Sequence, residues 1–116
     1  QLRQHCFYKN GKLHGEYKRW NDINGIMTEH RFYKNGVRYG ENKEWYSDGF
    51  LYVHCFFDKN GDIHGEYKEW MDDRVCFRHR FYKHGKVIGE CKVWYRNKNV
   101  MHHNVYENDI CTNNIQ

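Results

Sequence analysis

A four-fold internal repeat constrains this chain more than any other feature. Gly-Glu pairs recur at Gly15-Glu16, Gly40-Glu41, Gly65-Glu66 and Gly89-Glu90, in steps of 25, 25 and 24 residues. All four tryptophans keep the same beat: Trp20, Trp45, Trp70 and Trp94. A lysine stands two residues before each of them, at Lys18, Lys43, Lys68 and Lys92. A second glycine precedes each Gly-Glu pair, at Gly11, Gly36, Gly61 and Gly85, and an aromatic run precedes that: Phe7-Tyr8, Phe32-Tyr33, Phe56-Phe57, Phe81-Tyr82. Sequence self-similarity at this period marks an array of small structural units that stack on their neighbours. A partial fifth copy begins at His103, so the expected organisation is one array over residues 1–108 and a polar tail over 109–116.

Each unit reads as a β-hairpin. Asn10-Gly11, Asn35-Gly36 and Asn60-Gly61 lie between short aromatic-rich runs, and Asn-Gly suits the two positive φ angles of a tight hairpin turn. His84-Gly85 takes the same place in the fourth unit. Asn24-Gly25 and Asp48-Gly49 mark return turns, with Asp72-Asp73 and Asn97-Lys98-Asn99 in the equivalent places further on. Composition agrees: 18% of residues are aromatic, Pro and Ala are absent, and a chain without Ala is poor helix material. The expected fold is all-β, an elongated single-layer antiparallel meander of about four and a half hairpin repeats. About nine strands at ~4.8 Å each would make a ribbon ~40 Å long.

The runs Asn10-Gly11-Lys12-Leu13-His14-Gly15 and Asn60-Gly61-Asp62-Ile63-His64-Gly65, continued by Gly-Glu-x-Lys-x-Trp, resemble the MORN repeat in the variant form found in bacteria and large DNA viruses. The likeness spans roughly residues 5–108; Tyr39 and Ile88 depart from it where the motif has His. It implies an interaction or scaffolding module, in some members with affinity for phosphoinositide lipids, and it implies no catalytic residues. Abundant Lys, Asn and Tyr without Ala or Pro also resembles the product of an AT-rich genome, as in some large viruses.

Repetition turns single residues into ladders. Trp20, Trp45, Trp70 and Trp94 should share one face and read first as core. With Tyr33 and Tyr82 they are also the candidate partner-docking surface, because a lone sheet covers only one of its faces well. His5, His30, His54, His79 and His103 form a second ladder. Two-residue turns would set His5 against Glu16, His30 against Glu41 and His79 against Glu90, while the extra residue at Asp58-Lys59 would displace His54 by a bulge. Units ~10 Å apart cannot share one metal ion, so the ladder reads as structural, and no metal and no cofactor is expected in this chain. Below about pH 6 the ladder would gain charge, and stability should respond.

The lysines before the tryptophans share a face with Glu16, Glu41, Glu66 and Glu90, and their charges cancel. Lys9, Lys34 and Lys83 near the hairpin tips are candidates for meeting anionic lipid. Net charge is +4, too small by itself to signal nucleic-acid binding. Five cysteines without a tight C-x-x-C pair suggest reduced thiols and a cytoplasmic setting. One Ser and two Thr leave hydroxyl-nucleophile chemistry little to work with. Cys76-x-x-His79 with Cys91 is the nearest approach to a metal set. The expectation is therefore a non-enzymatic module that docks a protein partner or forms a homodimer, with anionic lipid and then nucleic acid as alternative ligands.

Overall fold

The computed structural model describes residues 3–71, 76–95 and 100–114, and among these there is no helix. The chain folds as one open antiparallel sheet measuring 48 × 32 × 12 Å, a single layer thick. Its strands are β1 (Gln4–Lys9), β2 (Lys12–Trp20), β3 (Met27–Lys34), β4 (Val37–Arg38), β5 (Gly40–Trp45), β6 (Leu51–Phe57), β7 (Gly65–Met71), β8 (Cys76–Lys83), β9 (Lys86–Tyr95), β10 (Val100–Glu107) and β11 (Ile110–Asn114). They lie side by side in chain order, with β4 as a short piece beside β3. The meander expected from the repeats is the observed topology.

Eleven strands among the described residues, rather than about nine, follow from two local facts. Tyr39 interrupts one repeat strand and splits it into β4 and β5. The fifth copy also completes a hairpin: Ile110–Asn114, expected as tail, pair with β10 from Glu107↔Ile110 to Asn104↔Asn114.

The tips explain the glycines. Asn10 and Gly11 have φ of 52° and 76°, Asn35 and Gly36 52° and 82°, and His84 and Gly85 47° and 86°. Two successive positive φ angles match the twist of the flanking strands, and Asn-Gly adopts them at least cost. The third tip differs. Its extra residue makes a wider loop, in which Asp58 N–H bonds Asp62 O at 2.8 Å and Asp58 Oδ1 accepts from the Asn60 and Asp62 amides. The insertion is absorbed here, so His54 does not slip; it pairs with Lys43 and Lys68 in step with the other units. The Asn24-Gly25 and Asp48-Gly49 turns are present, while Asp72-Asp73 and Asn97-Lys98-Asn99 lie outside the described residues.

The second glycine of each unit corrects the expected register. Tyr8 pairs with Leu13, as a two-residue turn dictates, but Cys6 pairs with Tyr17. Phe7 alone therefore stands against His14-Gly15-Glu16, and Gly15 supplies the left-handed φ of 101° that the bulge needs. The same shift recurs between His79 and Phe81. Its consequence is that His5 faces Lys18 and His79 faces Lys92, not the glutamates of their own units.

The most buried residues are Asn42 (1% exposed) and Cys55 (2%), followed by Val53, Cys91, Val93 and Arg31. Strand alternation puts all six on one face, opposite the tryptophans, which are half-buried rather than core. Long side chains cover the short ones on that face. Arg31 lies 5.5 Å from the Tyr17 ring centroid and bonds Glu29 at 2.7 Å, and Asn42 Nδ2 donates to Glu44 and Cys55.

Candidate interaction face

On the face that carries the tryptophans, one row crosses nine strands. His5, Lys18, His30, Lys43, His54, Lys68, His79, Lys92 and His103 pair in succession, each directly opposite the next. Two residues along each strand, a second row sets Glu16 against Phe32, Glu41 against Phe56 and Glu66 against Phe81. On the other flank stand the tryptophans, with Phe77 sandwiched between Trp70 and Trp94 at ring distances of 5.0 and 5.2 Å.

Each glutamate is held from two sides. His30, His54 and His79 approach Glu16, Glu41 and Glu66 with Nε2–Oε2 distances of 2.8 Å, and His103 approaches Glu90 at 3.1 Å. The carboxylates can only accept, so Nε2 is the protonated nitrogen in each pair. The lysine on the glutamate's own strand closes to 3.7, 3.8, 3.5 and 3.2 Å in turn. His30, His54, His79 and His103 thus each bond the glutamate of the unit before, and the ladder ties neighbouring units together. The imidazole hydrogen bond is the main cause that holds Glu16, Glu41 and Glu66 below the ordinary carboxylate range; at Glu90 the Lys92 bond leads. The histidines also lean on the phenylalanines of their own strands, with ring centroids 5.3 Å apart for His30–Phe32 and 4.9 Å for His79–Phe81.

The docking candidates named from sequence divide between the two faces. Trp20, Trp45, Trp70 and Trp94 lie beside the row, and His79, Phe81, Gly89, Glu90, Lys92 and Trp94 line an open depression of about 450 Å³ there. Tyr33 and Tyr82 point the other way. Their hydroxyls accept from Arg31 and Arg80 at 3.4 and 3.2 Å, and their rings meet Tyr17 and Tyr67, each at 5.8 Å. Lys9, Lys34 and Lys83 are exposed at the tip edge and continue the alternation of His5-Phe7, His30-Phe32 and His79-Phe81, so they join the row's face. Lys34 rests over the Tyr39 ring at 5.6 Å. His79 and Cys91 lie on opposite faces of the sheet, and the side chain of Cys76 lies outside the described residues.

Two features escaped sequence reasoning. One is the job of the histidine before the bulge: His14 Nδ1 accepts the Asn35 amide at 3.2 Å, and His64 Nδ1 accepts the His84 amide at 3.0 Å. Each caps the next tip. Tyr39 stands where the motif has His, and the tip after it needs no cap because Asp58 serves its own loop. The signal was available in the histidine's fixed distance from the tip. The other feature is the group formed by Asp58, His64 and His84, whose donor atoms all lie within 4.8 Å of one another.

Among the described residues no helix is long and apolar enough to cross a membrane. No family model matches the chain, and no curated protein matches it.

Proposed function

We propose that this chain is a non-catalytic binding module of MORN-like hairpins, whose His–Lys–aromatic face receives an acidic segment of a partner protein. The observation that carries the reading is the continuous row from His5 to His103, which offers the same chemistry again and again along an open face. Catalysis calls for one tuned site, whereas a repeated surface suits an extended ligand. Charge selects the ligand's sign. The row's lysines are matched by its glutamates, so Lys9, Lys34 and Lys83 leave the face positive. Exposed Phe7 and Phe81 and half-buried Phe32 beside those lysines, with the half-buried tryptophans on the row's other flank, supply the apolar part of the contact.

An acidic, tyrosine-containing copolymer of glutamate and tyrosine serves as the probe, with tryptophan fluorescence as the readout. The wild-type chain should bind it, the Lys43→Glu/Lys68→Glu variant should lose most of that binding, and Lys59→Glu on the third loop should keep it. Equal binding by all three chains refutes the assignment of the face. Binding to anionic vesicles or single-stranded DNA but not to the copolymer replaces the proposed ligand with lipid or nucleic acid. A solution mass of twice 14.4 kDa, lost in the Lys43→Glu/Lys68→Glu variant, makes a second copy the occupant instead.

A further inference from the structure

The third and fourth tips break the repeat, and they break it together. The third has the extra residue that widens its loop and turns Asp58 across the edge of the sheet. The fourth has His84 where the first and second tips have Asn10 and Asn35. Though 26 positions apart, the two meet: His84 Nδ1 lies 2.8 Å from Asp58 Oδ2. His64 completes the group, its ring 4.5 Å from that of His84. Asp58 has a side chain only 9% exposed, and its other oxygen is engaged by the loop amides, so the carboxylate is fixed in place. The His84 side chain is 62% exposed.

From this juxtaposition we infer that Asp58, His64 and His84 form a binding site for a divalent transition metal of the zinc type. Two imidazoles and one carboxylate are a zinc donor set; calcium and magnesium take oxygen ligands almost exclusively. In a tetrahedral zinc site the donor atoms stand about 3.3 Å apart, as metal–ligand distances of ~2.0–2.1 Å require. The present group spans at most 4.8 Å, and rotation of the exposed His84 side chain closes the difference. Metal takes one imidazole lone pair from each histidine. His64 then yields its bond to the His84 amide, which water satisfies at an exposed tip. The fourth position is left to water or to a ligand from outside. Bound metal would clamp the third hairpin to the fourth, a role quite separate from the His–Lys row on the sheet's face.

The test is zinc alone, titrated into the intact chain against a chelating indicator, with melting followed in parallel. His84→Asn restores the residue that the first two tips carry at the same backbone angles, so the hairpin is retained. His14→Asn removes the equivalent histidine of the first unit, which belongs to no group of three donors among the described residues. Wild type and His14→Asn should take up one zinc with equal affinity, and zinc should raise their melting midpoints. His84→Asn should bind that zinc at least about tenfold more weakly and lose the midpoint shift. No uptake by wild type below millimolar zinc, or equal affinity in wild type and His84→Asn, overturns the site; the latter would assign the metal to other histidines or cysteines.

Discussion

Cys55 offers a direct test of which face of the ribbon is the interior. It sits mid-sheet, 2% exposed, beneath Asn42, and burial pushes its thiol up to about 11 from an ordinary 9.0. The thiolate is the reactive form, so at about pH 8 this shift lowers the reactive fraction roughly a hundredfold. A more basic thiolate is also a better nucleophile, which returns about six- to tenfold for a two-unit shift. The net effect of acidity is therefore a slowing of about tenfold or more. Occlusion multiplies it, because a reagent must wait for the strands around Cys55 to open. Modification by a small maleimide, followed by peptide mass mapping, should show Cys55 lagging behind the exposed Cys111 by well over tenfold in the native protein. Denaturant should abolish the lag. Equal labelling of Cys55 and Cys111 under native conditions would refute the claim that the Arg–Tyr–Cys face is the packed one.

Three further expectations follow from the same geometry. Val53→Ala removes two buried carbons from the centre of that face and should cost about 2 kcal/mol in urea unfolding; a loss under ~0.5 kcal/mol would contradict its burial. His14→Ala deletes the acceptor of the Asn35 amide at an exposed tip and should cost about 0.5–1 kcal/mol, with faster hydrogen exchange at Asn35 as the specific sign; unchanged exchange would remove the capping role. Glu16, Glu41 and Glu66 are held below their unfolded range by histidine bonds, so the stability they add is fully present above about pH 4.3 and is lost as pH falls through their lower folded values. Glu41→Gln should flatten part of that acid limb, and an identical limb in the variant would separate the His–Glu bonds from stability.

Much of this architecture was readable in advance because the repeat names its own turns. Asn10-Gly11 and Asn35-Gly36 announce tips, and the even beat of the tryptophans announces one shared face. Register was harder. Pairing read outward from a two-residue turn holds as far as Tyr8↔Leu13, then fails, because Gly15 places three residues opposite Phe7. The repeated Gly-Glu was plain in the sequence, but its left-handed backbone was not. The interior was harder still, since attention to repeated residues selects the wrong face. Arg31 and Cys55 recur only in every second unit, as Arg80 and Cys6, while Asn42 and Cys91 stand where the other units carry Tyr17 and Tyr67, so no ladder with the period of the repeat marks them as buried. Tyr33 and Tyr82 looked like members of an aromatic surface because they adjoin Phe32 and Phe81, yet adjacent residues on a strand point to opposite sides. The approach of Asp58 to His84 depended on a loop insertion in one unit and a substitution in the next, and only packing of the tips joins them.

The meander also sets how the chain comes to be folded. Each main strand pairs only with its predecessor and successor, so contacts across the sheet are made between residues close in sequence. Low contact order keeps the loop-closure entropy of every step small, and such chains fold quickly for their size. A finished hairpin offers its outer strand as a template, and the next need only lay itself alongside. Structure can then grow one unit at a time, in the order in which a ribosome releases the chain, without waiting for a distant segment to arrive.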